Sequence, residues 1–313
     1  MSGPGQTTGG SAPLQNAVLI AGPTASGKSA LALDIAARTG GVIVNADSMQ
    51  VYSVLRVLTA RPGDDDLARH PHLLYGHVHP SVAYSTGAWL REVAGLIQSG
   101  ALEGQRPIFV GGTGLYFRAL LGGLSDMPEI PPHIRDRWRY KLMEEGPHRL
   151  HRLLLREDPE VGLRLKPSDG QRIVRALEVL ETSGKSIAAW QAETGTPLVD
   201  VASARRYVLE PERAVLHSRI EARFDGMMAA GAGHEVARIV ALGLDPALPA
   251  MKAIGVPDLS DALAGRLSVA EAITRAKAAT RQYAKRQSTW FRNQFADEWR
   301  RITSAEQLFG QDR

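Results

Sequence analysis

The chain has 313 residues, 44% of them hydrophobic and 22% charged, which suits one large globular domain or two modest ones with ample core. It contains no cysteine, so disulfides and thiolate metal sites are excluded. Net charge is only +4, from 37 Lys+Arg against 33 Asp+Glu, and no apolar run approaches the roughly 20 residues that span a bilayer.

In chain order, residues 1–16 (MSGPGQTTGGSAPLQN) are rich in Gly, Ser and Thr, with neither a basic start nor an apolar core. They read as a disordered tail and not a signal peptide, and the expected location is the cytoplasm. AVLIA (17–21) is a short apolar run ending at Gly-Pro, a buried strand. SALALDIAART (29–39) has helical spacing and closes at Gly40-Gly41. VIVNA (42–46) is a second buried strand that ends on Asp47. A helix is predicted over 86–98, then RPIFVGGTG gives a third strand running into a glycine turn at Thr113. Strands alternating with helices predict a parallel α/β sheet.

Beyond about Asp126 the pattern changes. PEIPPHIRDRW opens a region of amphipathic helices (134–145, 148–156 and 169–182) without a strand signal, read as an all-helical insertion over 128–196. RRYVLEP (205–211) has the pattern of a strand returning to the sheet, and helices at about 214–242 and 269–295 complete the chain. The expected organisation is a core of 17–127 and 197–300, the insertion between them, and a C-terminal tail over 301–313.

Gly22-Pro23-Thr24-Ala25-Ser26-Gly27-Lys28-Ser29 fits the phosphate-loop pattern G-x-x-x-x-G-K-[ST], with the required strand before it and helix after it. Glycines let successive backbone N–H groups converge on an anion, and the helix N-terminus adds positive potential. Lys28 supplies a cation for the distal phosphate, and the Ser29 hydroxyl is a ligand for Mg²⁺. The core is therefore expected to be a P-loop NTPase-like sheet. The motif identifies a bound diphosphate or triphosphate, not a reaction.

Asp47 stands at the C-terminal edge of the sheet, where open α/β folds bind ligands. There it serves as a magnesium-associated residue, a general base, or a plain cap on the next turn. Thr113 shares that edge, as a site residue or as a turn residue. A small-metabolite kinase fits the loop and the carboxylate, but neither the long helical insertion nor the basic C-terminal helix. Arg275, Lys277, Arg281, Lys285, Arg286 and Arg292 form a basic run without an intervening carboxylate, and a second basic-rich stretch runs through Arg135, Arg137, Arg139 and Lys141. Such clusters meet phosphate backbones or line solvated helix faces. His70, His72, His77 and His79 invite a metal reading, against which stands the lack of carboxylates and cysteines at ligand spacing.

Seven segments in order carry a family resemblance: GPTASGKS, NADSMQVY, GGTGLYFRALLGGL, SDGQRIVRALEVLETSGKS, LHSRIEARFDGMMAAGAGHEV, MKAIGVPDL and TRQYAKRQSTWFRNQF. Together they resemble the tRNA dimethylallyltransferases, or tRNA isopentenyltransferases, over about 17–299. The resemblance implies transfer of a dimethylallyl group from dimethylallyl diphosphate to N6 of the adenosine 3′ of the anticodon. It implies that Gly22–Ser29 hold the diphosphate leaving group with Mg²⁺, that Asp47 is the base, that Thr113 contacts the adenosine and that Arg223 clamps the diphosphate. It also implies tRNA contacts, to the anticodon stem-loop, at Asp47, Ser48, Met49, Gln50, Thr113, Arg135, Gln171, Arg172, Ile173, Val174 and Arg175. Arg281 and Lys285, with Arg292 on the same helix side, are expected to be available to phosphates. A monomer is expected. The chain departs from the family's G-x-D-I-G-T-A-K-P run, reading Arg56-Val57-Leu58 for Asp-Ile-Gly and Arg61 for Lys. It also reads Ile254-Gly255-Val256-Pro257-Asp258 for I-G-Y-K-E. Neither departure touches the phosphate loop or the base, so tuned rather than lost activity is expected.

Overall fold

A computed structural model describes residues 12–125, 127–193 and 195–309 of the chain. Strands β1 (Val18–Ala21) and β2 (Gly41–Asn45) are buried at every position. Continuous apolar strands of this kind are covered on both faces, as a parallel sheet with helical crossovers requires. With β3 (His72–Leu73), β4 (Arg106–Gly111), β5 (Arg205–Leu209) and β6 (Arg300–Ile302) they form one six-stranded sheet in the order β3-β2-β4-β1-β5-β6, every pairing parallel.

Alternation along the strands sorts the core. Val18, Ile20, Ile43, Ile108 and Val110 pack with Leu31 and Ile35 of α1 (Lys28–Thr39). Leu19, Ala21, Val42, Val44 and Phe109 pack on the opposite face with Trp89 of α3 (Thr86–Gln98) and Phe117 of α4 (Gly114–Gly122). The short α2 (Asp64–Arg69) lies between β2 and β3 in the chain. A further cluster surrounds the segment after β2: Val51, Tyr52, Leu55 and Leu58 are buried among side chains of four helices. These are α9 (Arg213–Ala229), α10 (Ala232–Ala241), α11 (Val256–Leu263) and α12 (Val269–Gln294).

The chain divides into two compact units, one of the described residues up to Leu121 and from Leu198 onward, the other Gly122–Pro197. The second unit holds α5 (Pro132–Glu157), α6 (Pro159–Arg164), α7 (Gly170–Ser183) and α8 (Ile187–Ala192) around its own core of Ile134, Trp138, Leu150, Leu154, Ile173 and Leu177. The two helices expected over 134–156 are the halves of α5, which changes direction at Gly146.

Three expectations are corrected. The helix read over 214–242 is two, because Gly231 adopts a left-handed conformation at φ 96° and starts α10. The tail read over 301–313 begins in β6, which pairs with β5, and continues into α13 (Glu306–Phe309), whose Phe309 ring lies under the Arg38 guanidinium at 4.1 Å. Residues 310–313 lie outside the described residues, as do 1–11 of the N-terminal tail. Within the rest of that tail, Leu14 forms a parallel bridge with Val199.

Candidate active site

Strand order brings the site together. β2, β4 and β1 are neighbours, so the segments leaving their C-terminal ends share one edge of the sheet. These segments are 46–50, 112–113 and 22–27. The phosphate loop follows β1 and enters α1 through Gly27, left-handed at φ 98°. Ala25 is also left-handed, at φ 65°. For a residue with a Cβ that conformation costs about 1–2 kcal/mol, strain that a loop shaped for a ligand retains.

The loop is braced from outside. The Thr24 N–H donates to Gln287 Oε1 at 2.9 Å, the Arg223 guanidinium donates to the Thr24 hydroxyl, and Arg219 Nη1 donates to Ser26 O at 3.1 Å. Arg219 and Arg223 stand one turn apart on α9, so a single helix face supplies both. Lys28 Nζ reaches back to Pro23 O at 3.3 Å. Burial lowers its ammonium to about 8, with Asp47 opposing the shift and Arg223 adding to it. Burial likewise lowers Arg223, again against Asp47. Both partners of Asp47 are therefore cations that gain from an added anion.

Asp47 is fixed as an Asx turn. Its Oδ1 accepts from the Met49 N–H at 2.9 Å, and its own N–H donates to Asn45 Oδ1 at 2.8 Å. Oδ2 remains on the side of Gly112. Thr113 closes the turn: its N–H donates to Ala46 O at 3.2 Å and its hydroxyl accepts from the Ser48 N–H at 2.9 Å. Gly111 makes this approach feasible, since a Cβ there would overlap the Ala46 carbonyl. Tyr75, Tyr116 and Tyr283 all feel the Asp47 charge. Burial first, and Asp47 second, push each phenol well above its usual range. They stay protonated near neutrality.

Ser29 lies exposed on the first turn of α1, next to Lys28. A hydroxyl oxygen in a phosphate-loop motif fits the donor chemistry of Mg²⁺, which takes few protein ligands and fills the rest from phosphate and water. Among the described residues, no three or more His, Cys, Asp or Glu gather as a metal site. His77 instead meets Glu92 at 2.7 Å.

Comparisons with known proteins agree with this geometry. A family model described as IPP transferase matches residues 50–294, and one described as isopentenyl transferase matches 15–74. The tRNA dimethylallyltransferase of Mesorhizobium japonicum is 67% identical over 295 residues, covering 94% of this chain and 92% of the relative. That of Agrobacterium fabrum is 56% identical, covering 92% and 96%. The chain belongs to the tRNA dimethylallyltransferase family. Among solved structures, the full-length tRNA isopentenylpyrophosphate transferase of Bacillus halodurans matches with TM-score 0.65 and 30% identity, over 93% of this chain and 90% of that one. A eukaryotic dimethylallyltransferase, in crystallographic snapshots of its action on tRNA, matches with TM-score 0.75 and 26% identity, over 89% and 70%. As a family member the chain is a prenyl-transferring enzyme with the P-loop-like parallel sheet expected of it.

Several residues expected to face tRNA do other things. Ile173 and Val174 are buried in the core of the helical unit, so in that segment only Gln171, Arg172 and Arg175 offer surface. The Gln50 amide donates to Thr59 O and Ala60 O, both at 2.9 Å, and anchors its own loop. Arg281 is not an unengaged cation: Glu221 of α9 binds it, and Lys277 pairs with Glu221 and with Asp225 at 2.7 Å. Lys285 is exposed and Arg135 half-buried.

Arg219, Gln287 and Glu235 escaped sequence reasoning. Arg219 was legible as the i−4 neighbour of Arg223. Gln287 and Glu235 had no such signal, because their partners are backbone groups 175 or more residues away.

Proposed function

We propose that this enzyme transfers a dimethylallyl group from dimethylallyl diphosphate to N6 of the adenosine 3′ of the tRNA anticodon. What carries the reading is the convergence of a diphosphate cradle, a fixed carboxylate and Thr113 on one sheet edge. The phosphate loop would hold the leaving group with Lys28, Arg223 and the backbone N–H groups. Their charge counts most as the C1–O bond breaks and its electron pair moves onto diphosphate. Mg²⁺ held by Ser29 and phosphate oxygens would neutralise part of that charge. An adenine amine is a poor nucleophile, its lone pair being delocalised into the ring. Asp47 Oδ2 would orient N6 and accept its proton as the C–N bond forms. Thr113, tied to the same turn, would contact the base.

A stacked adenosine cannot enter such a site, so the nucleotide must leave the anticodon loop. Ser48 and Met49 beside Asp47, with Arg135, Gln171, Arg172, Arg175 and Lys285, are the surface groups we assign to tRNA. No described helix is long and apolar enough to cross a membrane.

The test combines the enzyme with dimethylallyl diphosphate, Mg²⁺ and unmodified tRNA, followed by mass spectrometry of the digested RNA. A prenylated adenosine at the predicted position is expected, and its absence with folded protein refutes the reading. Asp47→Asn should still bind tRNA and lose turnover by about 10²–10⁴-fold, the range for a general base.

A further inference from the structure

Gln287 lies on α12, buried to 5% exposure, and its two amide atoms face two different parts of the site. Oε1 accepts from the Thr24 N–H at 2.9 Å, and Nε2 donates to Gly112 O at 2.9 Å. The first partner belongs to the diphosphate cradle. The second belongs to the turn that carries Thr113 and flanks Asp47 Oδ2. One rigid side chain therefore spans the leaving-group site and the acceptor site. Gly112 is bare on this side for a reason: a Cβ there would run into Nε2. The arrangement also removes the Thr24 N–H from the set of loop amides that point at an anion. Its hydrogen bond is already made, and Arg223 holds the Thr24 hydroxyl from the other side.

We infer that Gln287 is a positioning residue that sets the separation between the dimethylallyl C1 and the adenosine N6. The inference rests on the prenyl-transfer reading above. In-line displacement needs the reacting atoms about 3–3.5 Å apart, and small misplacements lose large factors in rate. If the cradle and the turn drift apart, the C1–O bond still breaks with its electron pair passing to diphosphate. Water then competes with N6 for C1, giving dimethylallyl alcohol and a proton instead of prenylated adenosine. A loose bridge thus shows as uncoupled diphosphate release, not merely as a slower enzyme.

The experiment compares wild type with Gln287→Met, which keeps the volume and loses both hydrogen bonds, and with Gln287→Glu, which keeps only the acceptor. Diphosphate release and prenylated adenosine are both quantified with full-length enzyme and tRNA. Wild type should give a ratio near one. Gln287→Met should raise it at least about threefold while kcat for prenylation falls roughly 10²-fold and KM for dimethylallyl diphosphate changes little. Gln287→Glu should fall between. Loss of folded protein lowers both rates together and leaves the ratio at one; with the fold of each variant verified by circular dichroism, an unchanged ratio overturns the inference. A rise in KM alone also overturns it, by making Gln287 a substrate ligand. An arm without tRNA separates this inference from the reaction itself. Amide hydrogen exchange in 22–27 and in 111–113 should speed up together in Gln287→Met. Protection retained in either segment refutes the bridge, whether or not wild type forms prenylated adenosine.

Discussion

Burial lowers the Lys28 ammonium from the ordinary 10.5 to about 8, against the pull of Asp47 and with the push of Arg223. Two consequences of opposite sign follow. Between about 8 and 10.5 the unfolded chain binds more protons at this residue than the folded one, so folding stability rises with pH across that window. Anion binding behaves the other way, because the loop needs the charged form. A diphosphate placed beside Lys28 restores the proton, and binding above pH 8 takes one up from solution. The affinity advantage of wild type over Lys28→Met for inorganic diphosphate should therefore shrink by about tenfold between pH 7 and pH 9. Calorimetry in buffers of different ionisation enthalpy reads both the affinity and the proton uptake. A constant advantage across that range, with no uptake, would show that Lys28 stays fully charged in the free loop.

The segment between β2 and α2 shows how an element is held by groups far away in sequence. Glu235, on the first turn of α10 and 3% exposed, accepts from the N–H groups of Arg56, Val57 and Leu58 at 2.9, 2.7 and 2.9 Å. These are the positions where the sequence departs from its family pattern. The anchor reads backbone and not side chain, while Leu58 fills the cluster against Gly255. Arg61 likewise donates from its guanidinium to Ser53 O at 3.0 Å. Glu235→Ala would leave three donors unpaired, two part-buried and that of Leu58 buried, at about 1–3 kcal/mol each before relaxation, so about 3 kcal/mol of stability should be lost in urea denaturation. Because the same segment begins at Ser48–Gln50, the variant should also raise KM for tRNA more than KM for dimethylallyl diphosphate; a change in neither stability nor KM would refute the anchor. This element marks the limit of what was legible beforehand. The phosphate loop, Asp47 and Thr113 were readable because a local pattern places each at a strand end. β3 and β6 were not, since two or three residues carry no period. The burial of Ile173 and Val174 was missed because a motif was read as a surface, although their helical neighbours Ala176 and Leu177 share that buried side.

At the scale of the molecule, charge is distributed differently from the sequence's clusters. In Gly122–Pro197 cations and carboxylates balance, so the whole +4 belongs to the sheet-bearing unit. Within that unit the basic run on α12 has no carboxylate of its own, yet α9 supplies Glu221 and Asp225 to Lys277 and Arg281, and Glu210 meets Arg292 at 3.8 Å. Folding thus neutralises much of a cluster that looked in sequence like a phosphate-binding stripe. Lys285 projects into solvent, as Arg275 and Arg286 of the run do, and is expected to displace a counterion from RNA. Each phosphate neutralised changes the slope of log K against log salt by about 0.7 on a single strand and 0.9 on a duplex. Lys285→Gln should therefore flatten the salt dependence of tRNA binding by nearly one unit of slope, measured by titration between 50 and 200 mM salt (~10² mM, where counterion release dominates). Arg281→Gln should flatten it by less than half as much, since its charge already faces Glu221. Equal effects from the two substitutions would mean that the Arg281 ion pair opens to RNA. In that case the binding surface of α12 would be the one read from the sequence, with the α9 carboxylates acting as its counterions in the free enzyme.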